Sequence, residues 1–595
     1  MQASSVSNGG SRAAKKRAKK KKKQQQQLPE TNDAAAMAKP VKKPRVEEPP
    51  RPQNSWTTGA TVTDNSKVSS LHESKILHFL YPDKATVPEN IQSTLEALTT
   101  KERARSTLAF LLEPAGITVN EFHEKYWEKK PLLVRASSSA HRHRLDGLLS
   151  VESIRQMLHE HPMAYGRDLN VTKYVMDPDT GLQRRLTLDC LPEKDDQGEG
   201  AEDGDQGYIE ARPGQVWKLF RDGCTVRLLC PHQYADSVQA LLSLLEVEWG
   251  CMVGANAYLT PPDASQGFAP HYDDIEAFCL QLSGRKRWKV YPPVTGQKLP
   301  RVSSEDFTEN DLKEMEDPVM DIILSPGDLL YMPRGWIHQA CTLEGGSKTT
   351  DDGHSLHLTV SAMQQWAWVD LLEELLPEAL AAAANSESST ALREGLPRNF
   401  LDYMGAIHDD SKESELLKAV KKDDDSKSTD EQQSQYQKAR ENFRAEAKHR
   451  IMRVAKEAMD MVDAACDQMG KQFITSCQPP ALLPKEKNLS SLADEKALKI
   501  LPDMMVRLLR PGIARMVLEE GMAVVYHCVD NSRFYHGRPN SPLEFETDDA
   551  PAIEQLFKTL EPQWICVADL YHDTIEDKIG VVQALYDEGI LALRQ

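Results

Sequence analysis

The sequence lacks the features of a secreted, disulfide-stabilised or membrane-spanning protein. Its 595 residues include ten cysteines, and no two of them form a Cys-x-x-Cys pair. This argues against a thiolate zinc site or a disulfide framework and favours a reducing intracellular compartment. We find neither an apolar run of about eighteen residues nor an apolar h-region at the amino terminus. A membrane span and a secretory signal are therefore not expected.

Positive charge is scarce except near the amino terminus. The chain carries 72 Lys and Arg against 90 Asp and Glu, a net charge of −18. Residues 1–60 hold fourteen of these bases and four of the acids, a net of +10, so the remainder carries −28. Residues 1–68 have few bulky apolar side chains, which predicts a disordered basic arm. Basic clusters at residues 15–23 and 39–45 indicate a nuclear or nucleolar address; a solvated charged tail is the alternative.

One stretch, residues 268–341, carries the pattern of a metal site. It contains His271 and Asp273 in a His-x-Asp pair, and a second histidine, His338, follows a Gly-Asp turn and a short apolar run. Because the side chains of a strand alternate, a His-x-Asp pair at a strand end presents both side chains on one face. Two imidazoles and one carboxylate form the facial triad of non-haem Fe(II) oxygenases, which leaves half of an octahedron open.

A lysine follows the His-x-Asp pair on the next predicted strand. Residues 277–292 predict a hairpin whose strands are joined at Ser283-Gly284. On its second strand Lys286 shares a face with the apolar Trp288 and Val290, where an unpaired ammonium group is costly. An acidic ligand would offset that cost. A side chain that reaches the surface is the alternative, because the neighbouring residues are basic.

Together these motifs resemble the JmjC family of 2-oxoglutarate oxygenases and, within it, the ribosomal oxygenases, which are nucleolar histidyl hydroxylases. The resemblance runs from about Leu108 to the carboxyl terminus. It implies an α+β chain with a double-stranded β-helix (cupin/JmjC) barrel, a helical dimerisation region and a C-terminal winged-helix-like domain. It also implies that His271, Asp273 and His338 bind Fe(II) at the catalytic centre. The co-substrates would be 2-oxoglutarate and dioxygen, with Lys286 on the distal carboxylate of 2-oxoglutarate.

The resemblance places five further residues in the pocket. Asn256 and His357 are expected beside the co-substrate, whereas Arg227, Tyr258 and Ser361 are expected beside the substrate. For Arg227, His357 and Ser361, hydrogen bonding within the core is an equally good interpretation.

The chain is expected to have four parts. These are the basic arm over residues 1–68, a JmjC catalytic domain over 69–365, a helical region over 366–485 and a winged-helix-like domain over 486–595. An apolar stripe at helical spacing over residues 443–473 predicts one amphipathic helix about 45 Å long. This stripe needs a partner surface, which is either a second copy of the chain, in a homodimer, or its own barrel.

Three further helices are predicted from local signals. One starts near Val119 and ends at Pro131, one follows Trp368 and stops at Pro377, and one covers residues 502–509 with Pro in its first turn. Residues 488–595 hold ten Lys and Arg against eighteen Asp and Glu, a net of −8. This charge opposes direct DNA binding by the winged-helix-like domain and favours a structural or protein-binding role.

Three functions are compatible with these features. We favour a protein oxygenase that hydroxylates a histidine of a large-subunit ribosomal protein. The second is demethylation of a histone methyl-lysine at the same site, because hydroxylation of an N-methyl carbon releases formaldehyde; this would imply a role in chromatin and transcription. The third is a nuclear scaffold without activity, against which the complete triad and Lys286 argue.

Overall fold

The computed structural model describes residues 74–84, 86–176, 183–188, 209–294, 296, 298–344, 353–386, 390–408, 427–493, 498–534 and 541–594. All of them belong to one unit that starts at Thr63. The predicted basic arm and its two clusters lie outside the described residues. Among the described helices, none combines the length and hydropathy needed to cross a bilayer.

Helices precede the first strand of the barrel and also lie between its later strands along the chain. Three of them follow threonines whose hydroxyls accept hydrogen bonds from the backbone N–H three residues on, so that Thr99, Thr118 and Thr308 act as N-caps. The helices of this part are α1 (Ile76–Leu80), α2 (Glu89–Glu96), α3 (Thr100–Leu112), α4 (Val119–Lys125), α5 (Ser139–Arg142), α6 (Val151–Glu160), α7 (Pro213–Arg221), α8 (Asp236–Trp249) and α9 (Glu309–Glu314).

Helix α4 is shorter than the sequence predicts. It ends at Lys125 and not at Pro131. The reason is that Trp127 turns back onto Phe122, with ring centroids 5.8 Å apart, and that Glu128 then adopts a φ of 55°. The end of this helix is therefore determined by aromatic packing and not by proline.

Two antiparallel sheets form the barrel. The larger has the strand order β1-β9-β6-β11-β5-β4-β2-β3 and the smaller β10-β7-β8. The strands are β1 (Leu132–Val134), β2 (Leu169–Met176), β3 (Gln183–Thr187), β4 (Thr225–Leu229), β5 (Val253–Thr260), β6 (Glu276–Gly284), β7 (Lys286–Tyr291), β8 (Met320–Leu324), β9 (Leu329–Met332), β10 (Ile337–Thr342) and β11 (Ser355–Ala362). This is the predicted double-stranded β-helix.

Strands β6 and β7 do not form the predicted hairpin. β6 pairs with β9 and β11 of the larger sheet, whereas β7 pairs with β8 and β10 of the smaller one. The chain crosses between the sheets at Gly284, which has a φ of 64°, and a Cβ there would lie 1.7 Å from the carbonyl oxygen of His354. Only glycine fits such a close approach at a positive φ. The sequence correctly predicts a turn at Ser283-Gly284. This turn connects the larger sheet to the smaller one, and it therefore places Lys286 in the smaller sheet.

The helical region consists of α10 (Trp368–Asn385), α11 (Lys427–Asp460) and α12 (Val462–Ser476). Helix α10 continues through Pro377, where the sequence predicts its end, because Leu375 and Ala379 on either side of the proline are buried against α11 and α12. The helix predicted over residues 443–473 is divided at Met461. This break lets Ala458 and Ala465, on the two sides of it, join the same apolar cluster.

Two three-stranded sheets and two longer helices form the C-terminal part. Residues 502–509 are predicted as a helix, but they contain strand β12. The main chain of β12 pairs with a strand on each side, and the side chains of Val506 and Leu508 are buried. The sheet orders are β16-β12-β17 and β13-β14-β15. The elements are α13 (Pro484–Lys487), β12 (Met505–Leu508), β13 (Ala514–Glu519), β14 (Met522–His527), β15 (Leu543–Phe545), α14 (Ala550–Lys558), β16 (Ile565–Cys566), α15 (Ile575–Asp587) and β17 (Leu591–Arg594). The domain boundaries at residues 68, 365 and 485 stay predictions.

Candidate metal centre

The backbone brings the three predicted metal ligands together. His271 and His338 face each other as an antiparallel pair, in which the His271 N–H donates to the His338 carbonyl (3.2 Å) and the His338 N–H to the His271 carbonyl (2.8 Å). The carbonyl of Asp273 accepts from the N–H of Gly335 (2.9 Å). One ligand atom from each of the three side chains lies within 4.8 Å of the others. The segment that carries His271 and the turn before β10 are thus held to each other by main-chain bonds.

Each imidazole is oriented by a carbonyl two residues before it. His271 Nδ1 lies 2.7 Å from the carbonyl oxygen of Ala269, and His338 Nδ1 lies 3.0 Å from that of Trp336. Because a carbonyl only accepts, Nδ1 of each ring carries the proton and Nε2 keeps its lone pair. The two Nε2 atoms lie 3.8 Å and 3.7 Å from the Asp273 carboxylate oxygens.

Burial prepares His338 to act as a ligand. The side chain is buried, and burial together with the neighbouring His271 lowers the pKa of His338 to about 4. The imidazole is therefore neutral at physiological pH, as metal coordination requires. Two Nε2 atoms and one carboxylate form the donor set that suits Fe(II), and three protein ligands leave positions for a co-substrate and dioxygen. The residues fit the implied metal.

Lys286 lines the same cavity, on β7, which pairs with the strand β10 that carries His338. Its side chain is 5% exposed, which excludes the alternative of a lysine that reaches the surface, and Trp288 and Val290 on the same strand face are buried too. Lys286 Nζ donates to Thr260 Oγ1 (3.0 Å). Among the described residues, no carboxylate lies within ion-pair distance of it. Burial lowers the pKa of Lys286 to about 8.

The cavity contains the metal ligands at one place and Lys286 at another. Two of the predicted pocket residues line it: Tyr258 and His357 stack with ring centroids 4.8 Å apart and an interplanar angle of 2°. Phe268 and Trp288 contribute further aromatic surface to the wall. The lining of the cavity is thus apolar except at the metal ligands, Lys286, the amide of Gln339 and a few hydroxyl and imidazole groups.

The other three predicted pocket residues do not line the cavity directly. Asn256 hydrogen-bonds to the Tyr258 side chain, and Arg227 lies with its guanidinium carbon 5.6 Å from the centre of the Tyr258 ring. Ser361 lies on the strand face of His357, at the end of β11 that pairs with Gly254. Their roles toward substrate or co-substrate stay predictions.

Two features of the site were not predicted from the sequence. Thr260, which holds the Lys286 ammonium group, is contributed by a strand that is distant along the chain. The second is Glu276, which is completely buried and accepts a hydrogen bond from Tyr331. A buried acid beside a metal motif could have been suspected from the apolar residues that follow it in β6.

Comparisons with known proteins agree with this geometry. Residues 227–371 match the model of the JmjC domain, and residues 478–595 match that of the Ribosomal oxygenase 1 C-terminal winged helix domain. Ribosomal oxygenase 1 of Bos taurus and that of Homo sapiens are each 36% identical over 502 residues, or 82% of this chain. The bifunctional lysine-specific demethylase and histidyl-hydroxylase NO66 of Culex quinquefasciatus is 33% identical over 518 residues, or 85% of this chain.

The matched part spans 65%, 68% and 69% of the lengths of these three relatives, respectively. The similarity covers both the barrel with its His-Asp-His cluster and the C-terminal domain, and the predicted family and fold class are confirmed. The chain therefore belongs to the JmjC-domain ribosomal oxygenases.

Proposed function

We propose that the chain is an Fe(II)- and 2-oxoglutarate-dependent oxygenase that hydroxylates a histidine of a large-subunit ribosomal protein. The observation that carries this proposal is the cavity itself, in which His271, Asp273 and His338 converge while the buried ammonium group of Lys286 faces the same space. A scaffold needs neither the metal ligands nor a buried, unpaired cation.

The side chains have separate tasks in this proposal. The carbonyls of Ala269 and Trp336 keep the Nε2 lone pairs of the two histidines directed at the metal position, and Asp273 supplies the negative charge. When bound, Fe(II) together with 2-oxoglutarate and dioxygen supplies the oxidising power to hydroxylate a C–H bond. The aromatic walls exclude water from the place where that bond lies.

Lys286 is the anchor for the co-substrate. A buried ammonium group without a carboxylate partner is unfavourable, and a dicarboxylate that reaches from the metal to Lys286 removes this cost by a charge-assisted hydrogen bond in a low dielectric. The Thr260 hydroxyl, which accepts from the ammonium group, fixes its position.

A ribosomal substrate is supported by the relatives and by charge. The relatives are named ribosomal oxygenase and histidyl-hydroxylase. Beyond residue 60 the chain carries a net charge of −28, which attracts a basic protein through long-range electrostatics. Ribosomal proteins that contact RNA are of this kind.

Histone lysine demethylation is the second candidate, because the Culex relative is also named a lysine-specific demethylase. The position of Arg227 favours histidine over methyl-lysine. Its guanidinium carbon lies 5.6 Å from the Tyr258 ring centre and 5.7 Å from that of Phe268, so a methylammonium group placed against these rings from the cavity would have a second cation close by. A neutral imidazole does not meet this repulsion.

The test is mass spectrometry of ribosomal proteins and histones after incubation with the protein, Fe(II) and 2-oxoglutarate. We expect one ribosomal histidine to gain one oxygen atom, and the Asp273→Ala variant to leave it unmodified. Loss of methyl groups from histone lysines without ribosomal hydroxylation would establish the second candidate. If the wild-type protein binds metal but neither modifies a substrate nor decarboxylates 2-oxoglutarate, the result supports the scaffold function.

We further propose that the chain forms a homodimer through its helical region. One face of α10 presents large apolar side chains at every fourth residue, and these are exposed in the single chain: Trp368 (79%), Leu372 (42%), Leu376 (46%) and Leu380 (51%). Such a stripe favours a partner surface. On α11, Val454 packs internally, whereas Ile451 is 65% exposed.

We also propose a nuclear and nucleolar localisation. It rests on the two basic clusters at residues 15–23 and 39–45, which contrast with the acidic remainder of the chain.

A further inference from the structure

A buried polar cluster lies beside the metal ligands but does not reach the cavity. It consists of Glu128, Glu276, Tyr331 and Arg334, and we call it the Arg334 cluster. Glu276 and Tyr331 are completely buried and Arg334 is 7% exposed. Polar side chains in such surroundings carry a large desolvation cost unless they bond to one another.

The four residues form a connected set of contacts. The Tyr331 hydroxyl donates to Glu276 Oε2 and accepts from the backbone N–H of Glu128 (3.0 Å). Arg334 Nη2 lies 2.5 Å from Glu128 Oε1, and Arg334 Nε lies 3.8 Å from Glu276 Oε1. The backbone N–H of Arg334 lies 3.5 Å from the same Glu276 oxygen. The Arg334 guanidinium thus lies between the carboxyl groups of Glu128 and Glu276.

The Arg334 cluster joins the two segments that carry the metal ligands. Glu276 opens β6 three residues after Asp273, and Arg334 lies in the turn between β9 and β10, four residues before His338. In the same turn, the N–H of Gly335 donates to the carbonyl of Asp273 (2.9 Å). Movement of the turn would therefore displace Asp273 and His338 relative to each other.

The cluster is also fixed to the outer shell of the barrel. The Tyr331 ring packs against Phe122 on α4, with centroids 4.8 Å apart, and against Phe278 on β6, with centroids 4.9 Å apart. Glu128 adopts its φ of 55° where the chain leaves α4. The cluster thus extends from an aromatic core to the turn before His338.

We propose that Arg334 is a positioning residue for the metal centre, which clamps the turn before His338 to the segment after Asp273 through Glu276 and Glu128. A purely structural role is a poorer explanation, because apolar residues of similar volume usually stabilise a core at least as well as a buried ion pair. Groups behind the ligands of a metal site commonly determine its affinity by orienting them. This inference rests on the proposed metal site.

The test measures metal affinity and not turnover. Mn²⁺ is titrated into the full-length protein without 2-oxoglutarate, and the signal of free Mn²⁺ is followed by electron paramagnetic resonance. We expect Arg334→Gln to weaken Mn²⁺ binding about 10- to 100-fold, the range found when groups behind metal ligands are removed. Arg334→Lys keeps the charge but not the planar fork of donors, so it should recover part of the affinity.

The matched control is Arg103→Gln. Arg103 is equally buried (2% exposed) and forms an ion pair with Glu486 at 3.7 Å, but it lies on α3 and not beside the metal ligands. This variant should lower the melting temperature and leave Mn²⁺ affinity unchanged. If Arg334→Gln does not fold, Tyr331→Phe, which keeps the ring and removes the hydroxyl, is measured instead and should weaken Mn²⁺ binding.

The outcomes separate this inference from the proposed function. If Arg334→Gln binds Mn²⁺ with wild-type affinity, the positioning role is overturned; the same holds for Tyr331→Phe where that variant replaces it. An equal loss of affinity in Arg103→Gln also overturns the positioning role. A wild-type protein that does not bind Mn²⁺ at all contradicts the proposed metal site itself.

Discussion

Replacing Lys286 with Met should cost the protein its affinity for 2-oxoglutarate and spare its metal. Methionine fills a similar volume without a charge, so the cavity wall is kept. Burial lowers the pKa of Lys286 from 10.5 to about 8, which corresponds to about 3 kcal/mol spent on keeping the empty site charged. Removing one partner of a buried ion pair costs about 3–5 kcal/mol. We therefore expect the Kd of 2-oxoglutarate to rise by roughly two to four decades.

The pH dependence of the Kd of 2-oxoglutarate should also show the role of Lys286. Below about pH 8 the lysine of the empty site is protonated and ready for a carboxylate. Above that pH a proton must be taken up on binding, so the Kd should rise about tenfold per pH unit. The Met variant should show no such rise, because it has no group to protonate at this place.

Whereas the affinity for 2-oxoglutarate should fall as the pH rises, the stability of the folded protein should increase. Since the folded-state pKa of Lys286 is depressed, the unfolded chain binds more protons between about pH 8 and 10.5, and the contribution of Lys286 to the free energy of unfolding increases with pH in that window. Below pH 8 the full cost of the buried charge is present. The difference in unfolding free energy between wild type and Met variant isolates this contribution from other titrating groups.

Calorimetric titration of 2-oxoglutarate into the Mn²⁺-loaded protein from pH 6.5 to 9.5 tests this reasoning. Lys289→Met is the matched control, because Lys289 lies on the same strand but is only partly buried; its Kd should stay within about threefold of wild type. The reasoning is refuted if Lys286→Met binds 2-oxoglutarate as tightly as wild type, or if it also loses Mn²⁺.

The metal ligands could be predicted from the sequence because the information is local. The His271-x-Asp273 spacing brings two ligands close together in a segment that pairs with His338 through an isolated bridge, and the turn signals before His338 mark the start of β10. The burial of Lys286 follows equally from strand alternation. These features depend on the period of a strand and on turn chemistry, and both can be read from a few consecutive residues.

Strand partners could not be predicted because they depend on contacts between distant residues. A short turn at Gly284 normally joins the two strands of a hairpin, yet here β6 and β7 pair with strands of different sheets. Residues 502–509 combine a proline with apolar residues and fit a helix, until β16 and β17 supply hydrogen bonds on both sides. Tertiary pairing overrides local propensity in such cases.

The Arg334 cluster was missed for a related reason. Arg334 was visible in the sequence as a charge between Pro333 and Gly335, which is an ordinary composition for an exposed turn. Only the fold brings Glu128 and Glu276 to it, from 206 and 58 residues away. A buried ion pair of this kind has no local sequence pattern, since each member alone is typical of a surface.

The remaining predictions concern assembly, targeting and the metal. Changing Leu372 and Leu376 to Asp places charge on the exposed stripe of α10, and we expect a folded monomer by light scattering with circular dichroism unchanged; a wild-type protein that is already monomeric contradicts the homodimer. Deleting residues 1–50 should move the protein out of the nucleus and nucleolus in live-cell imaging while turnover in vitro persists, and unchanged localisation would reject the targeting role of the clusters. Changing Asp273 to Ala removes the only anionic member of the ligand set and leaves two imidazoles, so we expect loss of Fe(II) binding, of substrate oxidation and of 2-oxoglutarate decarboxylation. The melting temperature should change little, because the Asp273 side chain is 32% exposed. His354→Ala is its control, since His354 bonds to Ser283 (3.1 Å) and not to the metal ligands; decarboxylation that survives in Asp273→Ala, or iron lost equally from His354→Ala, would show that the metal is held elsewhere.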